Sequence, residues 1–276
     1  MKTSTSDLQD SSDDPTHAGP VKLPFLRHAI MLAGALGMAA TAHADLVYQW
    51  NFRKSVVDSR SGVTADIVNP SGRSTEGYFF GGGAGITVQQ PADKAVTGVY
   101  AIELVFSLTE NDAGYQRIVD FQNLTTDEGM YAYGDYFYFY NESPDLANYT
   151  FLPNQEIKLV LMRDADGIFT AKLNGNTLWN FDDSTTQFAV FSGPSHVMHF
   201  FIDDGSEHPT GVVKSIRVFN KASLRDDTAI SAKRLEIKKL NKKIKKAKKK
   251  KQGKKVKLLK KKLKKKKAQL EKLLDY

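Results

Sequence analysis

From about residue 46 to 219 the apolar and aromatic residues come in short runs, many alternating with polar ones, and Gly, Asn, Asp or Pro separates the runs. A period of two marks strands with one buried face. The pattern predicts strands near 47–52, 78–80, 85–88, 100–108, 116–122, 129–133, 136–140, 157–163, 168–173, 176–181, 197–202 and 212–219. So many short strands with no helix between them imply two packed sheets, an all-β fold with a two-sheet antiparallel jelly-roll sandwich. Asn174-Gly175 is the firmest hairpin signal, because a type I′ turn needs two positive φ angles that Asn and Gly adopt cheaply. Asp164-Ala165-Asp166-Gly167 reads as a second turn of the same kind.

Beyond residue 225 the period changes. Apolar residues recur at heptad spacing in two blocks, Ile230, Ile237, Leu240, Ile244, Ala247 and then Val256, Leu259, Leu263, Leu270, Leu273. Each block predicts an amphipathic helix. The second block is out of phase with the first by about two residues, so the stripe changes sides near Gln252-Gly253. A helical hairpin, or two helices hinged at Gly253, fits that slip, and pairing of the helices between chains is a route to self-association. Residues 226–276 are therefore expected to form a Lys-rich helical or partly disordered tail with a break at Gly253.

Charge sharpens this division. The last 46 residues hold 23 Lys or Arg against three acidic residues, which leaves 16 basic and 28 acidic residues in the first 230. Dense like charge opposes compaction and attracts phosphate, sulfate, uronate or anionic lipid. The lysines expected to carry that attraction are Lys242, Lys243, Lys245, Lys246, Lys248, Lys249, Lys250, Lys251, Lys254, Lys255, Lys264, Lys265, Lys266 and Lys267. Their partner is expected to be an anionic polysaccharide, an anionic lipid surface or another polyanion. Arg234 and Tyr276 are the tail's only arginine and aromatic residue, so contact with nucleic acid would be sequence-blind.

The apolar run 29–40 follows Lys22 and Arg27 and leads into Ala42-His43-Ala44, the small-residue pattern of a signal-peptidase site. Residues 1–44 are expected to be a signal peptide with a long polar n-region, and 45–225 the sandwich. Secretion or residence in a bacterial cell envelope follows. With no cysteine in the chain, disulfides contribute nothing and the core must hold the fold. Sequons at Asn123, Asn141 and Asn148 would matter only in a eukaryotic secretory pathway.

The order of Tyr100-Ala101-Ile102-Glu103-Leu104-Val105-Phe106, Tyr115-Gln116-Arg117-Ile118-Val119-Asp120-Phe121, Leu161-Met162-Arg163-Asp164 with Leu173-Asn174-Gly175, His199-Phe200-Phe201-Ile202-Asp203-Asp204 and Gly211-Val212-Val213-Lys214-Ser215-Ile216-Arg217-Val218-Phe219 resembles the laminin-G-like, concanavalin A-like jelly roll of secreted bacterial proteins. The resemblance implies a curved sandwich whose concave sheet often binds glycans and whose rim sometimes holds calcium.

Catalytic patterns are sparse. The Glu-x-Asp-x-x-Glu strand of the family's glycosidases is absent, and the adjacent acids Asp182-Asp183, Asp203-Asp204 and Asp127-Glu128 would point to opposite faces of a strand or sit in turns. His196 and His199, three apart, would also face opposite sides. Gly81-Gly82-Gly83-Ala84-Gly85 has no following helix and reads as a tight turn. Asp203, Asp204 and Glu207 offer hard oxygens within five residues of a strand end, the donor set calcium would use. In Tyr136-Phe137-Tyr138-Phe139-Tyr140 the period of two sends phenylalanines to the core and Tyr136, Tyr138 and Tyr140 to the other face, with Tyr131 and Tyr133 beside them, a surface suited to stacking on sugar rings. Trp50 and Trp179 are expected in the core. The sequence thus points to a secreted non-enzymatic carbohydrate-binding or adhesion protein whose tail attaches to anionic envelope polymers or lipids. The alternatives are a glycan-processing enzyme on the same fold and a sequence-blind polyanion- or DNA-binding protein.

Overall fold

The structure, a computed structural model, describes residues 45–67, 72–110, 114–140, 142, 150–192, 196–250 and 252–274. The expected signal segment 1–44, the sequons at Asn141 and Asn148, and Lys251 lie outside the described residues.

Among the described residues thirteen strands form two antiparallel sheets. The seven-stranded sheet holds β1 (Leu46–Asn51), β3 (Tyr78–Phe80), β5 (Tyr100–Leu108), β9 (Ile157–Arg163), β10 (Ile168–Leu173), β11 (Asn176–Asp182) and β13 (Gly211–Phe219). Its order is β1-β13-β5-β9-β10-β11, with β3 also paired to β13. The six-stranded sheet holds β2 (Asp66–Ile67), β4 (Ile86–Gln89), β6 (Tyr115–Asp120), β7 (Gly129–Tyr133), β8 (Tyr136–Phe139) and β12 (Val197–Phe200), in the order β2-β4-β12-β6-β7-β8. The chain crosses repeatedly from one sheet to the other, which is the winding of a jelly roll. The alternation along the sequence marks every strand except β2, a two-residue edge piece too short to carry a period.

Alternation explains which faces meet. In β5 Tyr100, Ile102, Leu104, Phe106 and Leu108 enter the core, and β9 sends Ile157, Leu159 and Leu161 beside them. Met130, Ala132, Phe137, Phe139, Met198 and Phe200 meet these from the six-stranded sheet. Trp50 is fully buried and Trp179 nearly so, the latter 5.9 Å from the Phe169 ring. Gly211 is required by close approach, since a Cβ there would collide with the Ser107 carbonyl oxygen. Asn174 and Gly175 both have positive φ, as a type I′ hairpin demands. The Asp164–Gly167 turn differs. Only Gly167 has positive φ there, and the Asp164 carboxylate shapes the turn by accepting from the Asp166 and Ile168 amides.

Two ion-pair groups built on buried carboxylates brace the seven-stranded sheet. Arg163 Nε lies 2.6 Å from Asp183, whose carboxylate also accepts from Thr186 and the Ala189 amide. On the outer face Glu103 lies between Arg217 and Lys158, 2.6 and 2.9 Å away.

After the sandwich come α1 (Asp227–Lys249) and α2 (Gly253–Leu274), packed on each other as an antiparallel hairpin. Asp226 caps α1 by accepting from the Ala229 amide and pairs with Arg60 of the sandwich at 3.2 Å. The covered positions of α1 are 229, 230, 233, 237, 240, 244 and 247, and those of α2 are 256, 259, 263, 266, 269, 270 and 273. Ala229 and Gln269 apart, both follow a three-four spacing, so the apolar stripes are spent on the seam between the helices. Two seam positions are lysines, and Glu236 answers both, at 3.4 Å from Lys233 and 2.8 Å from Lys266. Among the described residues no helix is long and apolar enough to cross a membrane.

Candidate binding face on the six-stranded sheet

The outer face of β6, β7 and β8 carries a cluster of tyrosine rings. Tyr115 lies at its centre, with ring centroids 5.7 Å from Tyr131, 4.7 Å from Tyr133, 6.1 Å from Tyr138 and 5.7 Å from Tyr140. Pairing explains the assembly, because Tyr115 faces Tyr133 across β6 and β7 while Tyr131 faces Tyr138 across β7 and β8. Phe137 and Phe139 are fully buried on the opposite face, as the alternation requires. Tyr133 is 37 % exposed, Tyr138 and Tyr140 are half-buried, and Tyr131 is buried beneath them as a floor. Tyr136 shares the face, paired with Tyr133, but among the described residues its ring joins none of these contacts. Tyr115 is the member that sequence reasoning does not single out. It stands alone among polar neighbours, and only the register of β6 against β7 brings it in.

Behind the rings a second arrangement is buried. Arg117 is wholly enclosed on the outer face of β6. Its Nε donates to the Tyr131 hydroxyl and lies 2.7 Å from Asp203 Oδ1, and its Nη2 donates to the Thr126 carbonyl at 3.1 Å. Asp120, Asp127 and Asp204 approach the same guanidinium at 3.4, 3.4 and 3.8 Å. A regular strand would place Arg117 and Asp120, three residues apart, on opposite faces. A bulge between Arg117 and Val119 adds one residue to β6, sends both Ile118 and Val119 to the core, and returns Asp120 to the face of Arg117. The Asp120 carboxylate then accepts from the Leu124 and Gln122 amides, which holds Asn123 and Leu124 at φ 55° and 57°. Next in the row, His199 is held between the Thr87 hydroxyl at 3.1 Å and the Asn123 side chain at 3.3 Å.

These contacts set the charges. Burial foremost, then the Arg117 charge, depresses His199 to about 4, so the ring is neutral near pH 7. Burial pushes Asp120 up more strongly than the Leu124 amide and Arg117 pull it down. For Asp203 burial also acts upward, but the Gly205 amide, Arg117 and the Glu207 amide overcome it and hold the carboxyl below its ordinary value. Glu207 moves the other way, raised by burial and then by the charges of Asp203 and Asp127. Burial, followed by the neighbouring tyrosines, raises Tyr115.

The adjacent acids Asp203 and Asp204 do not diverge, because they follow β12 in a loop and both reach Arg117. Asp127 joins them from another loop. The three acids expected to hold calcium, Asp203, Asp204 and Glu207, thus surround or border a guanidinium that already supplies positive charge. Among the described residues no group of three or more His, Asp or Glu side chains is arranged to hold a metal ion. His196 and His199 are not brought together by any shared contact among the described residues. The described tail lysines are exposed on the hairpin, apart from Lys233 and Lys266 in the seam.

No family model matches the chain, and no curated protein matches it. Among solved structures it is similar to domain 4 of AbnA, a GH43 extracellular arabinanase from Geobacillus stearothermophilus in complex with arabinotriose, with 12 % identity over 65 % of this chain and 94 % of that one and a TM-score of 0.44. It is also similar to the ligand-binding domain of botulinum neurotoxin serotype D in complex with N-acetylneuraminic acid, with 12 % identity over 65 % of this chain and 48 % of that one and a TM-score of 0.49. A third is Trypanosoma rangeli sialidase in complex with sialic acid, with 13 % identity over 60 % of this chain and 28 % of that one and a TM-score of 0.46. The chain spans about half the length of the neurotoxin domain.

Proposed function

We propose that this is a secreted or envelope-held glycan-binding protein whose sugar platform is the tyrosine face of the six-stranded sheet, and whose helical hairpin attaches it to a polyanion. The observation that carries the reading is the ring cluster around Tyr115 with Tyr133, Tyr138 and Tyr140 partly open to solvent. Rings fixed by one another and by a buried network need little ordering on binding, which favours affinity. Beside the platform, five carboxylates, Glu207 included, face one guanidinium. That surplus of negative charge favours neutral or amino sugars over sialylated or uronate glycans at this face. The test is binding of the full chain to neutral, amino-bearing and acidic glycans at salt high enough to screen the tail. The paired change Tyr133→Ala with Tyr138→Ala is expected to weaken neutral-glycan binding roughly ten-fold, taking ~0.5–1.5 kcal/mol per stacked ring. Unchanged binding in that variant would refute the platform.

One observation favours an enzyme on the same fold. Glu207 is raised and Asp203 lowered, a divergence that suits an acid and base pair. Asp203 is nevertheless occupied by Arg117 and by the Gly205 and Glu207 amides, which suits a loop staple better than a reacting group. Release of reducing sugar that Glu207→Gln abolishes would reverse this ranking.

A further inference from the structure

From the arrangement of the hairpin we infer that its polyanion site is one groove between α1 and α2, and that its occupant is a single extended strand of acidic polysaccharide. The inference rests on the polyanion reading of the tail and narrows it. Two adjoining cavities of about 510 and 430 Å³ lie between the helices and share Lys243 as a wall. They form one groove. Lys239, Lys243 and Lys246 line it from α1 and Lys250 from the residue that caps it, spaced four, three and four residues, so one charge recurs per helical turn of about 5.4 Å. Lys255 and Lys262 face them from α2.

Across the groove like charges confront each other, and among the described residues the only carboxylate that pairs with a tail lysine is Glu236 near one end. A linear anion laid between the rails would neutralise both sides at once and relieve their repulsion. A bilayer fits less well. It would touch only the crests of the two ridges, and the apolar stripes it would need for insertion are consumed in the seam, with Leu235 and Leu258 the large apolar side chains most exposed on the helices. The groove also has no arginine to fork onto phosphate and no aromatic ring to stack on bases, which disfavours nucleic acid.

The experiment compares two full-length variants with equal loss of charge. One carries Lys243→Gln, Lys246→Gln, Lys255→Gln and Lys262→Gln in the groove. The other carries Lys245→Gln, Lys248→Gln, Lys260→Gln and Lys264→Gln, which the helical period places on the opposite side of the pair. Binding of polygalacturonate is measured against salt, with phosphatidylglycerol vesicles and duplex DNA as separate arms, and circular dichroism confirms the helices. The groove variant is expected to lose at least about ten-fold in affinity for polygalacturonate and to flatten the log–log salt slope by about one unit per lysine removed, with the opposite variant changed far less. Equal losses in the two variants would overturn the groove while leaving a diffuse polyanion tail. Tighter binding to vesicles or DNA than to polygalacturonate would overturn the choice of occupant. Failure of the unaltered protein to bind any of the three would overturn the polyanion reading itself.

Discussion

Replacing Arg117 with methionine removes the one positive charge from a buried acidic group while keeping most of the side-chain volume. The Arg117 and Asp120 side chains are 0 % exposed and Asp203 is 4 % exposed. Deleting one member of such a set leaves carboxylates desolvated without compensation, which costs about 3–5 kcal/mol. In a domain of this size 1 kcal/mol moves the melting temperature by roughly 2–4 °C, so a fall of about 10 °C is expected. The loss should depend on pH in a defined direction. In the native protein Asp203 lies below its unfolded value, so its contribution is present above that value and fades as pH falls through the folded one. Without Arg117 the buried carboxyls would sit above their unfolded values, a penalty present at neutral pH and relieved on acidification. The second effect shrinks the difference between variant and parent as the solution approaches about pH 4, and the first shrinks it further below that. Near-ultraviolet dichroism and tryptophan fluorescence follow the sandwich during urea and thermal unfolding, because far-ultraviolet signals are dominated by the hairpin. Adding Asp203→Asn to Arg117→Met should recover part of the loss. A deficit below about 1 kcal/mol at neutral pH, or one that grows on acidification, would refute the reasoning.

Three further outcomes follow from named contacts. His199 has a folded pKa of about 4 against an ordinary value of 6.5, so the unfolded chain takes up more protons between these values and stability falls as pH drops through that window. The effect is about 3 kcal/mol across that window, and His199→Gln should flatten that limb of a stability-against-pH curve. Gly211→Ala forces a Cβ against the Ser107 carbonyl oxygen and should cost at least about 3 kcal/mol, whereas Gly114→Ala, with nothing within 4 Å, should change the urea midpoint little. Glu236→Gln removes the acid that answers Lys233 and Lys266 in the seam, so far-ultraviolet dichroism should report helix lost at low salt and regained as salt screens the lysines.

The sandwich was legible because its strands bury one face each. In β5 the inward Tyr100, Ile102, Leu104, Phe106 and Leu108 alternate with Ala101, Glu103, Val105 and Ser107, and the short length and the aromatic and β-branched residues favour that period over the helical stripe Ala101, Leu104, Val105 and Leu108 that the string also contains. The same logic placed Phe137 and Phe139 inside and Tyr138 outside. The helices were legible for a related reason, since a three-four spacing survives even where lysine outnumbers every other residue. Alternation does not encode how far one strand slides past another, so Tyr115 could not be assigned to the rings of β7 and β8 from its own neighbours.

The Arg117 network was illegible for a stronger reason: it exists because the alternation is broken. Read as an unbroken strand, residues 116–122 put Asp120 on the side of Ile118 and away from Arg117, while Asp203-Asp204 reads as adjacent acids that either diverge on a strand or sit in a turn. The bulge at Ile118 reverses the first assignment, and the loop after β12 realises the turn and brings both acids to Arg117. Once Asp120 is turned outward, its carboxylate can fasten the Leu124 amide, and the two residues with positive φ, Asn123 and Leu124, become tolerable. Left-handed conformations at such residues cost of order 1–2 kcal/mol each and persist only when their surroundings hold them. Asn123 in turn reaches His199, so a single extra residue in β6 organises a row from His199 through Asp120 and Arg117 to Tyr131. The tyrosine platform rests on that row. Its ring positions are thus supported by a break in periodicity three residues beyond Tyr115, in the strand that supplies the platform's central ring.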